Sequence, residues 1–226
     1  MNFVCSTSQD LAPALYDELA SFRYQVFVER LGWELPARPG CERDQFDRPD
    51  TIHVVARAES GAVIGCGRLL PTTETYLLEG VFPHLLNGLP VPRSEKIWEL
   101  SRFAIMEQER GVGTERFLAE RVLLTALRFC AARGVTHLLA VSTLPVERLM
   151  QRAGVELQRL GPPMIVGGQP VLAFVIGVNE RSIGALASYE SAALAGAERP
   201  NPPRHDGSAL LGHLAAAAAS EAATVH

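Results

Sequence analysis

The sequence lacks the features that would mark a membrane or secreted protein. No apolar run approaches the roughly 20 residues that a membrane-spanning helix needs, so we expect no membrane span. The first ten residues carry neither the basic region nor the apolar stretch of a secretory signal. We therefore expect a cytoplasmic protein.

Clustered metal ligands are also lacking. The four cysteines stand far apart without a C-x-x-C pair, and the six histidines do not cluster with them. In a cytoplasmic chain this spacing is typical of reduced thiols, and it does not supply the ligand groups of a zinc site. We expect no metal and no cofactor.

An excess of positive charge is missing as well. The net charge of −4 disfavours a nucleic-acid-binding protein. It still allows an acidic protein partner that docks on a local basic patch. What remains is a chain of 226 residues, 47% hydrophobic and 20% charged, which suits one globular domain with a sizeable core.

The spacing of apolar residues predicts alternating helices and strands. Residues 11–26 carry one helical stripe with spacings of three and four, and residues 34–50 form an irregular loop. Further helices are predicted at 115–133 and 145–153, and strands at 52–58, 62–70, 97–105, 135–141 and 171–178. This order predicts the α/β class, with a three-layer α-β-α sandwich around a mixed sheet.

The end of the chain differs in composition. Residues 189–226 are dominated by alanine and proline, and we see no core-forming pattern after about Ser188 beyond a short Ala-rich helix. We therefore expect a functional domain at 1–188 and a disordered, dispensable tail at 189–226.

Several polar and aromatic residues before the long helix are candidates for chemistry. Asp44 and Asp47 lie in the loop, where they are either solvated charges or ligands. Phe27 and Trp33 are either core residues or a binding face, and Arg68 is either a strand-end charge or a functional group.

Glu99 and Arg102 are harder to explain as ordinary residues. They stand in an otherwise apolar strand, where a buried charge is costly unless it is paired or hydrogen-bonded. Strict alternation puts them on opposite faces, so the strand must bulge or splay if both reach one site. A structural ion pair is the alternative reading.

A glycine-rich segment precedes the long helix. The stretch Arg110-Gly111-Val112-Gly113 resembles the loop with which acetyl-CoA-type N-acyltransferases hold a pyrophosphate on helix N-terminal amides. Glycine-rich turns between a strand and a helix are also common for steric reasons alone.

Taken together, the chain resembles the acyl-homoserine lactone synthases, the autoinducer synthases of quorum sensing, from about residue 22 to 178. The strings F-R-Y-Q-V-F-V, L-G-W, D-Q-F-D, G-R-L-L-P-T and W-E-L-S-R-F-A-I carry the likeness. Eight positions match that family in order and spacing: Arg23, Phe27, Trp33, Asp44, Asp47, Arg68, Glu99 and Arg102. The Ala-rich tail is not part of the resemblance.

The resemblance implies a fold like that of the GNAT N-acyltransferases and two substrates, S-adenosylmethionine and an acyl-acyl carrier protein. The amine of S-adenosylmethionine attacks the acyl thioester, and its carboxylate then displaces methylthioadenosine and closes the lactone.

The residue types suit these substrates. Carboxylates and aromatic faces attract the cationic sulfonium and amine, which points to Asp44, Asp47, Phe27 and Trp33. The substrate carboxylate needs a guanidinium, and Glu99 is the expected base. Ser101 or a strand amide would stabilise the thioester oxyanion. Arg23, Arg68 and Arg102 are equal candidates for the guanidinium.

An acyl pocket and a docking face complete the expected site. The pocket would be lined by Leu123, Ser142, Thr143 and Met150; in the family, a threonine matching Thr143 tends to accompany 3-oxo-acyl products. The carrier protein is acidic, and Arg148 and Arg152 lie four apart on one helix face, where they would dock it or simply be solvated. Two alternatives are an N-acyltransferase that uses acyl-CoA and another amine, and a non-catalytic ligand sensor.

Overall fold

The computed structural model describes residues 1–106, 114–194, 210–212 and 214. The strands are β1 (Asn2–Thr7), β2 (Ile52–Arg57), β3 (Val63–Pro71), β4 (Ile97–Ile105), β5 (His137–Thr143), β6 (Leu157–Arg159), β7 (Met164–Val166) and β8 (Gln169–Gly177). The α-helices are α1 (Pro13–Arg23), α2 (Leu77–Val81), α3 (Thr114–Ala131), α4 (Leu144–Arg152) and α5 (Glu180–Leu194). A π-helix (Tyr24–Arg30) continues α1, and a 3₁₀ turn (Pro83–Leu86) follows α2.

The strands form one open sheet in the order β1-β2-β3-β4-β5-β8-β6, with β7 beside β8. β4 and β5 run parallel, whereas β2 is antiparallel to β1 and β3, and β8 is antiparallel to β5, β6 and β7. A mixed sheet with flanking helices is the predicted α/β class.

The chain packs as two compact units. The first comprises Met1–Leu69 and Arg102–Ala126, and the second comprises Leu70–Ser101 and Leu127–His226. In the first unit, the apolar stripe of α1 and the π-helix packs on the strands, with Leu19, Phe22 and Phe27 against Val55 and Cys66. Burial of this stripe is what makes the predicted helix stable, since propensity alone contributes little.

The end of this helical segment has a defined geometry. Pro13 occupies the first turn, as predicted, because its missing N–H costs nothing there. At the other end Gly32 adopts a positive φ of 66°, which glycine reaches without strain. The turn lets the Trp33 N–H donate to the Phe27 carbonyl at 2.9 Å, so the backbone itself brings residue 33 back over residue 27.

The second unit is built on β8. Leu138 to Leu139 of β5 pair with Val175 to Ile176 of β8, and all four residues are fully buried. On the other side of β8 lie the short strands β6 and β7, which the sequence analysis missed because three residues are too few to show a period. β1 was missed as well; all but one of its residues are only half-buried.

The predicted boundary after Ser188 falls inside α5, which continues to Leu194. Tyr189 is 3% exposed, and beyond it Leu210 and Leu214 are 3% and 5% exposed. The Leu211 N–H donates to Oε1 of Gln158 at 3.3 Å. The expectation that nothing after Ser188 joins the core is therefore wrong for these residues, because isolated leucines in an alanine-rich stretch give no readable period.

The buried leucines of this segment should contribute to stability. We expect Leu210→Ala and Leu214→Ala each to lower the free energy of unfolding by about 2–3 kcal/mol, through lost burial and a residual cavity. Urea denaturation measures the effect, and Leu211→Ala, which removes a half-buried side chain, is the matched control. A cost no larger than that of Leu211→Ala would show that the two leucines do not pack as described.

Candidate active site

Five of the predicted site residues meet in one ionic cluster of the first unit. Arg23 lies at the last position of α1, Asp44 and Asp47 in the loop, Arg68 in β3 and Arg102 in β4. Three different elements and a loop thus converge on one group of charges, which no short sequence motif could show.

The guanidinium of Arg23 is held on two sides. Its Nη1 and Nη2 donate to the two carboxylate oxygens of Asp47 at 2.8 and 2.9 Å, a bidentate geometry. Its Nε donates to Glu42 at 2.5 Å. Arg68 donates to Asp44 at 2.6 Å and to Asp47 at 3.0 Å.

Arg102 completes the cluster. Its Nη2 donates to Oε1 of Glu42 and to Oδ2 of Asp44, both at 2.8 Å. Glu42 therefore bridges two arginines, and three guanidiniums face three carboxylates.

Glu42 was not among the predicted site residues. A signal for it was present, because three buried arginines need three negative charges and only two aspartates had been named. Glu42 stands two residues before Asp44 in the same loop and is 1% exposed.

Local hydrogen bonds shape the loop that carries the carboxylates. The Phe46 N–H donates to Oδ1 of Asp44, and the Asp44 N–H donates to Oδ2 of Asp47, both at 2.9 Å. Such side-chain turns are typical of aspartate. The Glu42 N–H donates to the carbonyl of Ala20 at 3.0 Å, which ties the loop to α1.

The cluster shifts the pKa values of Asp47, Glu42 and Arg23 toward their ionised forms. Burial alone raises the pKa of Asp47, but the charge and hydrogen bonds of Arg23 and the charge of Arg68 outweigh it and hold that pKa well below its usual range. Burial alone would raise the pKa of Glu42, but Arg102 and Arg23 together outweigh this effect and lower that pKa. Burial alone would lower the pKa of Arg23, but its partners Asp47 and Glu42 outweigh this effect and raise that pKa above its usual value.

Accessibility is uneven within the cluster. The side chains of Arg23, Glu42, Asp47 and Arg68 are 0–2% exposed, whereas those of Arg102 and Asp44 are 5% and 6% exposed. Arg102 and Asp44 thus have the most exposed side chains of the cluster and form its outer edge, and the other four residues support them.

The backbone at Arg102 is irregular; the sequence analysis expected a bulge or splay of this strand if Glu99 and Arg102 both reach one site. Its φ is +51°, a left-handed conformation that costs a residue other than glycine about 1–2 kcal/mol. The Cys66 thiol donates to the Arg102 carbonyl at 3.1 Å. β4 pairs with β5 only from Ile97 to Leu100.

An aromatic pair and a cavity lie beside this edge. The rings of Phe27 and Trp33 stack with centroids 4.9 Å apart, and the Arg102 guanidinium lies 5.4 Å from the Phe27 centroid. Phe27 is buried, while Trp33 is 38% exposed. A cavity of about 240 Å³ is lined by Val26, Phe27, Arg30, Leu31, Phe103, Ala104 and Ile105.

Glu99 belongs to the second unit and is fully buried. Its two carboxylate oxygens accept the N–H groups of Leu77 and Leu78, the first residues of α2, each at 2.7 Å. These bonds stabilise an ionised carboxylate. They give Glu99 a structural role through backbone N–H groups, where the sequence analysis had offered a structural ion pair as the alternative to a catalytic role.

The other predicted residues are distributed over both units. Ser101 is buried in β4, Leu123 is buried in α3 and Met150 is buried in α4. Ser142 and Thr143 are half-buried at the end of β5, and the Thr143 side chain does not cap α4. Arg148 and Arg152 are exposed on α4. The segment Arg110-Gly111-Val112-Gly113 lies outside the described residues.

Within the described part of the chain, no group of three histidine, cysteine, aspartate or glutamate side chains is arranged to hold a metal ion. Likewise, none of the described helices is long and apolar enough to cross a membrane.

Comparison with known proteins adds independent evidence. The family described as autoinducer synthase matches residues 8–186. The acyl-homoserine-lactone synthase of Acinetobacter nosocomialis is 43% identical over 185 residues, which are 79% of this chain and 100% of that protein.

Solved structures give the same grouping. TofI in a ternary complex with an inhibitor and MTA has a TM-score of 0.74 at 40% identity, over 83% of this chain and 97% of that one. The CoA-dependent acyl-homoserine lactone synthase BjaI, with SAM and isopentyl-CoA, has a TM-score of 0.74 at 25% identity, over 94% and 96%. An N-acetyltransferase from Lactobacillus plantarum, at 18% identity and a TM-score of 0.54, shows the predicted acyltransferase-like fold alone.

The bridging position of Glu42 should make it critical for stability. We expect Glu42→Gln to lower the free energy of unfolding by about 3–5 kcal/mol, because it leaves buried guanidinium charge uncompensated. Urea denaturation measures this. The control is Asp17→Asn, which breaks the exposed Arg43–Asp17 pair at 2.6 Å and should cost at most about 1 kcal/mol. Similar costs for both variants would contradict a stabilising cluster.

His53, on β2 behind the cluster, should make stability depend on pH. Burial lowers its pKa from 6.5 to about 4, and nearby arginines add to the shift against the opposing charge of Asp47. The unfolded chain therefore binds a proton that the folded chain excludes, so stability is complete above pH 6.5 and falls as the pH drops toward 4. The loss is on the order of 3 kcal/mol.

We expect His53→Gln to abolish most of this dependence of stability on pH between pH 6.5 and 5, a range above that in which the carboxylates titrate. The urea midpoint of unfolding, measured across this pH range, tests the expectation. The exposed residue His84 supplies the control His84→Gln, which should keep the wild-type slope. An unchanged slope in His53→Gln would assign the pH dependence to other groups.

Proposed function

The chain belongs to the autoinducer synthase family and is an acyltransferase that makes an acyl-homoserine lactone, and we propose that its substrates are S-adenosylmethionine and an acyl-acyl carrier protein. The observation that carries this proposal is the outer edge of the ionic cluster, where Arg102 and Asp44 lie beside the Phe27–Trp33 stack.

This edge suits the charges of S-adenosylmethionine. The substrate carboxylate pairs with the Arg102 guanidinium. Of the three candidate arginines, Arg23 and Arg68 are less accessible, because they are enclosed by their own carboxylate partners. The substrate amine and sulfonium are attracted to Asp44 and to the exposed face of Trp33. Asp47 and Arg23 act indirectly, by holding Asp44 and Arg102 in place.

The adenosyl group has a complementary cavity close by. The space lined by Phe27, Leu31 and Phe103 is mostly apolar and has one cationic residue, Arg30, a composition typical of small-molecule sites. The MTA complex of TofI supports an adenosyl subsite in a relative that is 40% identical. In this chain the leaving methylthioadenosine would occupy the same cavity.

The reaction proceeds in two bond exchanges. The substrate amine, after giving a proton to Glu99 directly or through a water, attacks the thioester carbonyl; an amide forms and the carrier thiol leaves. Ser101 or a strand amide stabilises the oxyanion. The carboxylate oxygen then attacks the γ-carbon, the carbon–sulfur bond breaks, and methylthioadenosine leaves with the bonding electrons.

The acyl chain would lie along Ser142, Thr143 and Met150 of the second unit. Thr143 is the residue before α4, yet its hydroxyl makes no capping bond to that helix. The hydroxyl can therefore donate to the 3-oxo group of an acyl chain, whose buried carbonyl would otherwise cost about 1–3 kcal/mol.

The acidic carrier would dock on α4. Arg148 and Arg152 are exposed on this helix, whereas Arg159, which could have extended the basic face, is bound to buried Glu147 at 2.6 and 2.7 Å. A carrier protein is the proposed donor because this face is positively charged. BjaI is described as CoA-dependent, so acyl-CoA is the donor to test against it. We expect the enzyme to work in the cytoplasm, where both substrates are made.

The proposal is tested by incubating the purified chain with S-adenosylmethionine and either acyl-acyl carrier protein or acyl-CoA of equal chain length. We expect lactone and methylthioadenosine in equal amounts, with carrier protein as the better donor, and mass spectrometry identifies both products. An acylated amine formed without methylthioadenosine would instead support a plain N-acyltransferase.

The variant Glu99→Gln should show in the same assay whether Glu99 acts as a base or only as an anchor of α2. We expect the rate per folded molecule to fall about 10²- to 10⁴-fold. Some stability should also be lost, because an amide cannot accept both α2 N–H groups as the carboxylate does. The control is Glu147→Gln, which removes another buried carboxylate and should lower stability without this loss of rate. A wild-type rate in folded Glu99→Gln would leave Glu99 as an anchor only.

A further inference from the structure

Residues 72–94 form a loop whose two ends are joined by one threonine. The Thr72 hydroxyl lies 2.8 Å from the carbonyl of Ile97 and 3.1 Å from that of Ser94, and it accepts the Ser94 N–H at 3.0 Å. The Thr72 N–H also donates to the Ile97 carbonyl at 3.1 Å. Thr72 is fully buried. It is the threonine of the string G-R-L-L-P-T, in which only Arg68 has so far been given a role.

Two further links cross the loop. The Tyr76 hydroxyl donates to the Pro92 carbonyl at 2.8 Å from a fully buried ring. Arg93 pairs with Glu79 of α2 and donates to the carbonyl of Thr73 at 3.3 Å. The loop is thus closed at its base, its middle and its outer side.

The closed loop fixes the position of α2. Tyr76 is the residue immediately before the helix, so its hydroxyl bond fixes where the helix begins. The next two residues, Leu77 and Leu78, give their N–H groups to the two oxygens of Glu99. Because both oxygens accept a hydrogen bond, the orientation of the carboxylate is restricted.

We propose that the loop of residues 72–94 sets the orientation and the proton affinity of Glu99, and that Tyr76 and Thr72 are its positioning residues. The inference rests on the proposed function of Glu99 as the base. Hydrogen bonds to a carboxylate favour its ionised form, so lengthening the two N–H bonds raises its affinity for a proton. A loosened loop therefore makes Glu99 lose its basic form at a higher pH.

Glu99 lies near the titratable group of Tyr76, whose other charged neighbours in the loop are Glu79 and Arg93. Burial raises the pKa of Tyr76 well above its usual range, and the charges of Glu79 and Glu99 add to this against Arg93. The hydroxyl of Tyr76 therefore stays protonated, and remains a donor, over the whole range of an activity assay. β5, which pairs with β4 here, places uncharged Leu139 opposite Glu99.

The test is the pH profile of kcat for Tyr76→Phe, measured with saturating S-adenosylmethionine and acyl donor. We expect its acid limb to move to higher pH by about half a pH unit or more, with kcat lowered and the KM for S-adenosylmethionine unchanged. A purely structural defect would reduce the folded fraction and scale the rate equally at every pH. The matched control is Tyr189→Phe, which removes another buried tyrosine hydroxyl, 3.4 Å from the carbonyl of Arg152, and should not move the limb.

Thr72 provides a second, independent pair of variants. Thr72→Ser keeps the hydroxyl and should keep the wild-type limb, whereas Thr72→Val should move it in the same direction as Tyr76→Phe. Acid limbs that stay in place in both Tyr76→Phe and Thr72→Val would overturn the inference, provided that Glu99→Gln abolishes the limb. If Glu99→Gln keeps both rate and limb, the base assignment fails and this inference fails with it.

Discussion

The first unit of the structure depends on burying six charges at once. Moving a carboxylate or a guanidinium out of water costs several kcal/mol even after relaxation. That cost is offset here only because every guanidinium meets carboxylate oxygens at hydrogen-bond distance and the charges sum to zero. The position of α1, the path of the loop after it and the local form of β4 all follow from this requirement, since each supplies a member that the others cannot replace.

The two units fix their carboxylates by different means. In the first, Glu42 and the aspartates are held by cationic side chains, which lower the pKa values of Glu42 and Asp47. In the second, Glu99 is held by backbone amides, which are dipoles and not charges. An amide-held carboxylate keeps more of its capacity to take up a proton than one enclosed by arginines.

Sequence reasoning succeeded where residues repeat with a period or stand out chemically. The stripe of α1 and the strands β2, β3 and β4 were predicted because burial imposes spacings of three and four or a continuous apolar run. It failed where three-dimensional packing decides. The π-helix has no period of its own, the three-residue strands are too short, and the leucines after α5 stand alone among alanines.

The candidate site was predictable to a similar degree. Charged residues within apolar surroundings stood out as candidates, but the convergence of five of them in one ionic cluster was not predicted. The contacts of Glu99 could not be predicted, because they come from backbone N–H groups, which every residue other than proline carries. Nor could the sequence rank the arginines, since their exposure depends on how the loop covers them.

The backbone at Arg102 has an evolutionary consequence. A left-handed conformation is easiest for glycine and tolerable for asparagine, so the backbone alone favours those residues at position 102, at a difference of about 1–2 kcal/mol. Only the guanidinium, which binds Glu42 and Asp44, holds the residue there. Leaving a buried carboxylate without its partner costs more, about 3–5 kcal/mol, so the ionic cluster outweighs the backbone strain at position 102. A change at this position would therefore have to be accompanied by changes at Glu42 and Asp44.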